Sequence, residues 1–457
     1  MLYRFELDYL STWLHRSNRK PLLIRGARQV GKSTLVRLLA EKESKQLVEL
    51  DFENNPGLAE LFESQDPNII LSLLSVQLGQ NIQPQSVILF LDELQKTPQI
   101  LGSLRYFYEK MPELAIIATG SLLDLVLNNI QFSMPVGRIE YLYLMPMSFE
   151  AFLIAVNQSH LVDFLTQYQL SQDIPAIIHQ TLLNEVKRYF IVGGLPEAVA
   201  QYVKTGSFLD VERIKKSLFI GYQDDFSKYA TRAEQERMCL LFNKIPRMLG
   251  EKFKYSHIDP DQKTIALKTA LHALHLARII HIAYHTDANG LPLGADINEK
   301  QFKTYFLDVG LVASALDLNI LDFKNDQDFT LVNAGKMAEQ FMAQALLHSR
   351  ELYEPPGLYY WLREKKSAAA EVDFVIPFKG KIIPIEVKAG STGTLKSLHY
   401  FLFEKQLSFG VRVCSQPPSL HQSTVKINHT EISFQLLNLP FYLVGQLRRL
   451  LDSNFRQ

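Results

Sequence analysis

The stretch Leu22-Leu-Ile-Arg-Gly-Ala-Arg-Gln-Val-Gly-Lys-Ser-Thr34 constrains the fold of this chain more than any other. Its apolar start breaks into Gly26 to Ser33, which fits G-x-x-x-x-G-K-[ST], and Leu35-Val-Arg-Leu-Leu-Ala40 follows at helical spacing. Strand, loop and helix in this order form a phosphate-binding loop. Glycine lets the backbone turn tightly enough for several N–H groups to point inward; Lys32 then reaches the β- and γ-phosphates and the Ser33 hydroxyl ligates Mg²⁺. The residues expected to touch nucleotide are therefore Gly26, Ala27, Arg28, Gln29, Val30, Gly31, Lys32, Ser33 and Thr34. A glycine-rich turn with a stray lysine is the bland alternative, and it leaves the flanking strand and helix unexplained.

Two further strands extend the pattern. Ser86-Val-Ile-Leu-Phe-Leu-Asp92-Glu93 is an unbroken apolar run ending in two acids. It reads as a strand of a parallel sheet buried on both faces, with its acids at the carboxyl end where such sheets bind ligands. Behind a phosphate loop, Asp92 is expected to organise Mg²⁺ and Glu93 to polarise the attacking water. Leu114-Ala-Ile-Ile-Ala-Thr119 then ends in Gly120-Ser121, where Thr119 is placed to face the γ-phosphate and Ser121 to cap the next helix. Arg138, just before a strand, is a candidate arginine finger for its own or a neighbour's phosphate, and equally a surface ion pair.

Bulk properties exclude several classes. The 457 residues suffice for two to four domains, and Lys+Arg and Asp+Glu balance at 48 each, so any nucleic-acid surface must be local. No run of about 18 apolar residues suggests a membrane span. The N-terminal segment carries acids and has no sustained apolar core, so it is not read as a signal peptide. Cys239 and Cys414 are far apart and lack metal-ligand spacing; a reducing, cytoplasmic setting is expected.

Together, Gly26 to Thr34, Leu91-Asp-Glu-Leu-Gln95, Ala118-Thr-Gly-Ser121, Gly137-Arg138 and Pro146-Met-Ser-Phe-Glu-Ala-Phe152 resemble the core of a widespread prokaryotic family. Its members join an AAA-like ATPase to a C-terminal domain of unknown function with a restriction-endonuclease-like fold. The resemblance spans nearly the whole chain and implies the sensor role of AAA-type ATPases for Thr119. It also implies that Gly193-Gly194-Leu195-Pro196 lies in a helical lid, where Pro196 packs against adenine as in signal-transducing ATPases; a helix-breaking turn is the alternative. Residues 234–306 alternate helical segments with a hairpin, as in a winged helix. The second helix offers only Lys263 and Lys268 on its polar face, so packing on protein is as well supported as duplex reading.

A second chemical constellation follows an Asp- and Asn-rich linker at 317–328. Glu339 falls on a helix with Met337, Phe341 and Leu346 turned inward, Asp373 on a strand in Glu371-Val-Asp373, and Glu386-Val-Lys388 on the next. Alternation puts Glu386 and Lys388 on one face, and Asp373 meets Glu386 across the ladder. The set resembles the PD-(D/E)xK nuclease superfamily, in its resolvase-like branch. Glu339, Asp373 and Glu386 are then candidate ligands of a second Mg²⁺ or Mn²⁺, and Lys388 a catalytic residue at a phosphodiester. Solvated charges on alternating strands are the plain alternative.

The expected architecture is α/β. It comprises an AAA-like P-loop NTPase core with a parallel sheet at 1–155, a helical lid at 156–230, a winged-helix-like module at 231–316, a restriction-endonuclease-like α/β domain at 329–430 and an amphipathic tail at 431–457. The expected function is a Mg²⁺-dependent ATPase coupled to a metal-dependent nuclease-like domain acting on DNA. The alternative is a nucleotide-controlled switch whose silent C-terminal domain binds a protein partner or DNA; self-association fits either.

Overall fold

The computed structural model describes residues 2–129, 134–228, 230–318, 334–364, 369–389 and 394–455. The linker expected at 317–328 lies, beyond Leu318, outside the described residues. The chain divides into two compact units, residues 1–146 with 272–279 and 351–355, and residues 147–271, 280–350 and 356–457. Among the described residues no helix is long and apolar enough to cross a membrane.

The first unit is built on a five-stranded parallel sheet of β1 (Leu22–Arg25), β2 (Gln46–Asp51), β3 (Val87–Asp92), β4 (Ala115–Gly120) and β5 (Glu140–Tyr143), in the order β2-β3-β4-β1-β5. β3 and β4 are buried at every position, as their continuous apolar sequences require in a sheet covered on both faces. The order has a direct consequence for the site. β4 lies between β1 and β3, so the residues that end β4 stand between the phosphate loop after β1 and the acids that end β3.

The second unit opens with helices, among them Ala176–Val192, Pro196–Thr205 and Phe208–Phe226. After the helical segments at 232–276 come β6 (Ile280–Thr286) and β7 (Ile297–Phe306), paired antiparallel. This is the order of helices and hairpin expected for a winged helix, with one difference. β6 also pairs in parallel with β8 (Leu358–Arg363), and β8 with β9 (Ala370–Val372), so the hairpin is half of a four-stranded sheet, β7-β6-β8-β9. The boundary drawn from sequence at 316–329 thus runs between strands of one sheet. Pairing between segments some seventy residues apart leaves no mark on local periodicity.

A second five-stranded sheet joins β10 (Phe374–Phe378), β11 (Lys381–Val387), β12 (Phe409–Cys414), β13 (Ser419–Ile427) and β14 (Thr430–Pro440), in the order β10-β11-β12-β14-β13. The hairpin β13–β14 turns at Asn428 and His429, both with positive φ. Its second strand, β14, occupies the start of the stretch read as a tail at 431–457 and lies inside the sheet rather than beyond it. Within the expected amphipathic tail, Leu447–Phe455 forms a helix with Leu447, Leu450 and Leu451 buried.

Candidate functional sites

The phosphate loop has the backbone its glycines permit. Gly31 has φ +91°, and a Cβ at Gly26 would lie 2.4 Å from the Leu144 carbonyl oxygen. Gln29 also adopts positive φ, and Gly31 leads into the helix Lys32–Lys42. Lys32 is buried, and its ammonium donates to the Gly26 and Ala27 carbonyls at 3.2 and 2.9 Å. Burial pushes its pKa down to about 8, against the pull of Glu93 and Asp92. Arg28 pairs with Glu53 at 3.1 Å, the Val30 carbonyl accepts from Arg4, and Thr34 is exposed.

The other predicted residues converge on Asp92. The Ser33 hydroxyl donates to Asp92 Oδ2 at 2.6 Å, and the Thr119 hydroxyl and the Glu93 N–H both donate to Oδ1. Ser33, Asp92 and Thr119, from β1's helix, β3 and β4, therefore form one hydrogen-bonded set beside Lys32. An acceptor-only carboxylate next to a hydroxyl, at the end of a loop shaped by two glycines, is a donor set that suits Mg²⁺ held with phosphates. Glu93 follows with φ +55°, an unusual backbone for glutamate. Its Oε2 accepts from the Gln95 side chain and from Ser121 Oγ, the latter at 3.3 Å. Ser121, expected from sequence to cap the next helix, donates here to Glu93, and Gln95 was given no role in the sequence reading.

Arg138 pairs with Glu109 at 2.8 Å, both side chains part-exposed, and its guanidinium stands over the Tyr108 ring. It is not brought to the Lys32–Asp92 set by any hydrogen bond described. In the second unit, Pro196 starts its helix behind Gly193 and Gly194. That turn is fastened within its own unit: Gly194 N–H donates to Asp308 at 2.7 Å, and a Cβ at Gly194 would lie 2.1 Å from the Met147 carbonyl oxygen.

The second predicted constellation also lies within one unit. The register that sets Phe374 opposite Ile385 puts Asp373 level with Glu386, and Asp373 Oδ2 accepts from the Val387 N–H at 2.8 Å. Lys388 contacts Glu386 at 2.6 Å. A residue the sequence reading overlooked sits among them. Lys303 of β7 is wholly buried and ion-pairs with Glu371, with Glu339 at 3.5 Å and with Asp373 at 3.8 Å, while Tyr305 donates to Glu339 at 3.2 Å. Burial, reinforced by neighbouring carboxylates, pushes Glu339 up to about 7 and Glu386 up to about 8. For Lys303, the same carboxylates outweigh burial and hold the ammonium well above its ordinary value. Glu386 Oε2 is buried with no hydrogen-bond partner. Among the described residues, no group of three or more His, Cys, Asp or Glu side chains is arranged to hold a metal ion. The carboxylates are of the right type for Mg²⁺, but lysine stands among them.

Residues 18–153 match a family model described as an AAA domain. Residues 183–322 and 334–431 match two models described as domains of unknown function, DUF8612 and DUF4143. No curated protein matches the chain. Similar solved structures include the ORC2 protein of Aeropyrum pernix at 14% identity (TM-score 0.36; 70% of this chain and 94% of that one). PCH-2 of C. elegans is similar at 13% identity (TM-score 0.28; 48% and 70%). A signal transduction ATPase with numerous domains from Pyrococcus horikoshii is similar at 12% (TM-score 0.26; 76% and 45%). The matched domain, the parallel sheet and the loop define the class: the chain carries an AAA-like P-loop ATPase domain.

Proposed function

We propose that the protein is a Mg²⁺-dependent ATPase whose nucleotide state controls its C-terminal domain, and that this domain binds a partner rather than cutting DNA. The observation that carries the ATPase is the hydrogen-bonded set of Ser33, Asp92 and Thr119 beside the buried Lys32, with Glu93 next to it. In this reading the γ- and β-phosphates take the place of the Gly26 and Ala27 carbonyls as acceptors for Lys32. Ser33 and Asp92 would hold Mg²⁺, which would supply positive charge to the phosphoryl oxygens. Glu93, held by Gln95 and Ser121, orients water and accepts its proton, and Thr119 senses the γ-phosphate. Arg138 is the candidate arginine finger, from its part-exposed position beside Glu109.

For the C-terminal domain, Asp373 and Glu386 stand level on neighbouring strands with Lys388 beside them, which supports metal-dependent cleavage of DNA. Lys303 within the same carboxylates weighs against it and favours the silent, partner-binding reading. The test combines ATP hydrolysis with cleavage of linear, single-stranded and four-way DNA in Mg²⁺ or Mn²⁺, with Glu93→Gln and Lys388→Ala alongside. Hydrolysis lost in Glu93→Gln and no cleavage by wild type are the expected results. Absence of hydrolysis by wild type refutes the ATPase assignment, hydrolysis that survives Glu93→Gln refutes the role given to Glu93, and cleavage that Lys388→Ala abolishes refutes the silent domain.

A further inference from the structure

Lys303 lies on β7, outside the segment that supplies the other charged residues of the C-terminal constellation. It is wholly buried, and an ammonium has three N–H donors. Three carboxylates face it, those of Glu371, Glu339 and Asp373. Two residues along the same strand, and so on the same face, the Tyr305 hydroxyl donates to Glu339. Glu339 is closed in from another side by Gly250, where a Cβ would lie 2.6 Å from its Oε2. Glu386, the remaining acid, is engaged by Lys388.

We propose that Lys303 is the resident cation of this cluster, standing where a divalent ion would have to be held. The chemistry of the two cations separates them. Mg²⁺ demands oxygen ligands at about 2.0–2.1 Å in near-octahedral array. The carboxylates here are instead spread around an ammonium at ion-pair distances, and a dication among them would lie against a fixed positive charge where water does not screen it. Removing the ammonium without removing the acids leaves an uncompensated group of carboxylates, which is what a hard cation binds. The inference deepens the silent reading of the C-terminal domain and rests on it; the ATPase stands or falls separately, by hydrolysis.

The experiment is titration of the full-length chain with Mn²⁺, reading free Mn²⁺ by electron paramagnetic resonance. No nucleotide is added, and every protein carries Asp92→Asn so that the first site contributes nothing. In that background Lys303→Met is expected to take up one equivalent of Mn²⁺ that the Lys303 protein does not, and adding Asp373→Asn to Lys303→Met is expected to abolish it. The inference is overturned if the Lys303 protein already binds an equivalent that Asp373→Asn removes, or if folded Lys303→Met gains none. Should Lys303→Met be recovered only by refolding in Mn²⁺, the metal has replaced the ammonium and the inference holds. Should it not fold under either condition, the Lys303 protein with and without Asp373→Asn decides: equal Mn²⁺ uptake supports the inference and a lost equivalent overturns it.

Discussion

Replacing Lys32 by methionine separates what the phosphate loop does for nucleotide from what it costs the empty fold. The Lys32 pKa falls from 10.5 to about 8 on folding, chiefly through burial. At about 1.4 kcal/mol per unit, the charged lysine costs the folded state about 3 kcal/mol. Below about pH 8 both folded and unfolded chains hold the proton and the cost is present in full. Between about 8 and 10.5 the unfolded chain binds the extra proton, so stability rises with pH. Lys32→Met has no such proton, so wild type should gain about 3 kcal/mol on it across this interval, a difference in which tyrosine ionisation cancels. The two tryptophans allow the measurement: with Trp361→Phe in both proteins, buried Trp13 in the first unit reports urea unfolding alone. Mg²⁺-nucleotide should flatten the wild-type slope, because phosphates beside Lys32 favour its charged form, and should leave Lys32→Met unchanged. Parallel pH profiles for wild type and Lys32→Met without nucleotide would refute the reasoning, since the lysine would then be as well solvated folded as unfolded.

Other substitutions probe the remaining geometry. Glu93→Gln should lower kcat by about 10²- to 10⁴-fold while nucleotide affinity, read by equilibrium titration, stays within a few-fold. Gly194→Ala, whose methyl would meet the Met147 carbonyl oxygen, should destabilise the second unit by about 1–3 kcal/mol in denaturant titrations followed by Trp361 fluorescence. Arg138→Ala removes a part-exposed ion pair and should change stability by less than about 1 kcal/mol; a fall in kcat beyond tenfold would assign it a finger role instead.

The first unit was legible because its chemistry is written in contiguous residues. Gly26 to Ser33 fixes a loop between a strand and a helix, and the Val87–Asp92 run needs a sheet covered on both faces to bury it. What escaped is what depends on contacts distant in sequence or on a single backbone angle. Glu93 turns to positive φ, which brings it to Gln95 and Ser121, and no periodicity announces such a turn. Gly193 and Gly194 make room in their own unit for Asp308 and the Met147 carbonyl, partners far away in sequence. The β14 strand was read as the start of a tail because Glu431 and its neighbours are polar and exposed, and only the pairing with β12 and β13 puts it inside the sheet. Lys303 was hidden most completely, because a lysine on an alternating strand normally faces water, and only contacts distant in sequence bring it to Glu371 and Asp373.

The parallel pairing of β6 with β8 has a practical side for anyone dissecting this protein. A fragment beginning at residue 334 would keep β8 and β9 but lose β6, baring the backbone of β8 that pairs at Leu358, Tyr359 and Tyr360. It would also lose Lys303, leaving Glu339, Glu371, Asp373 and Glu386 to repel one another with Lys388 alone among them. An apolar strand with an open edge invites pairing with other copies, so this fragment is a recipe for aggregates. The smallest piece with a chance of standing alone starts upstream of Ile280 and carries the β6–β7 hairpin with it.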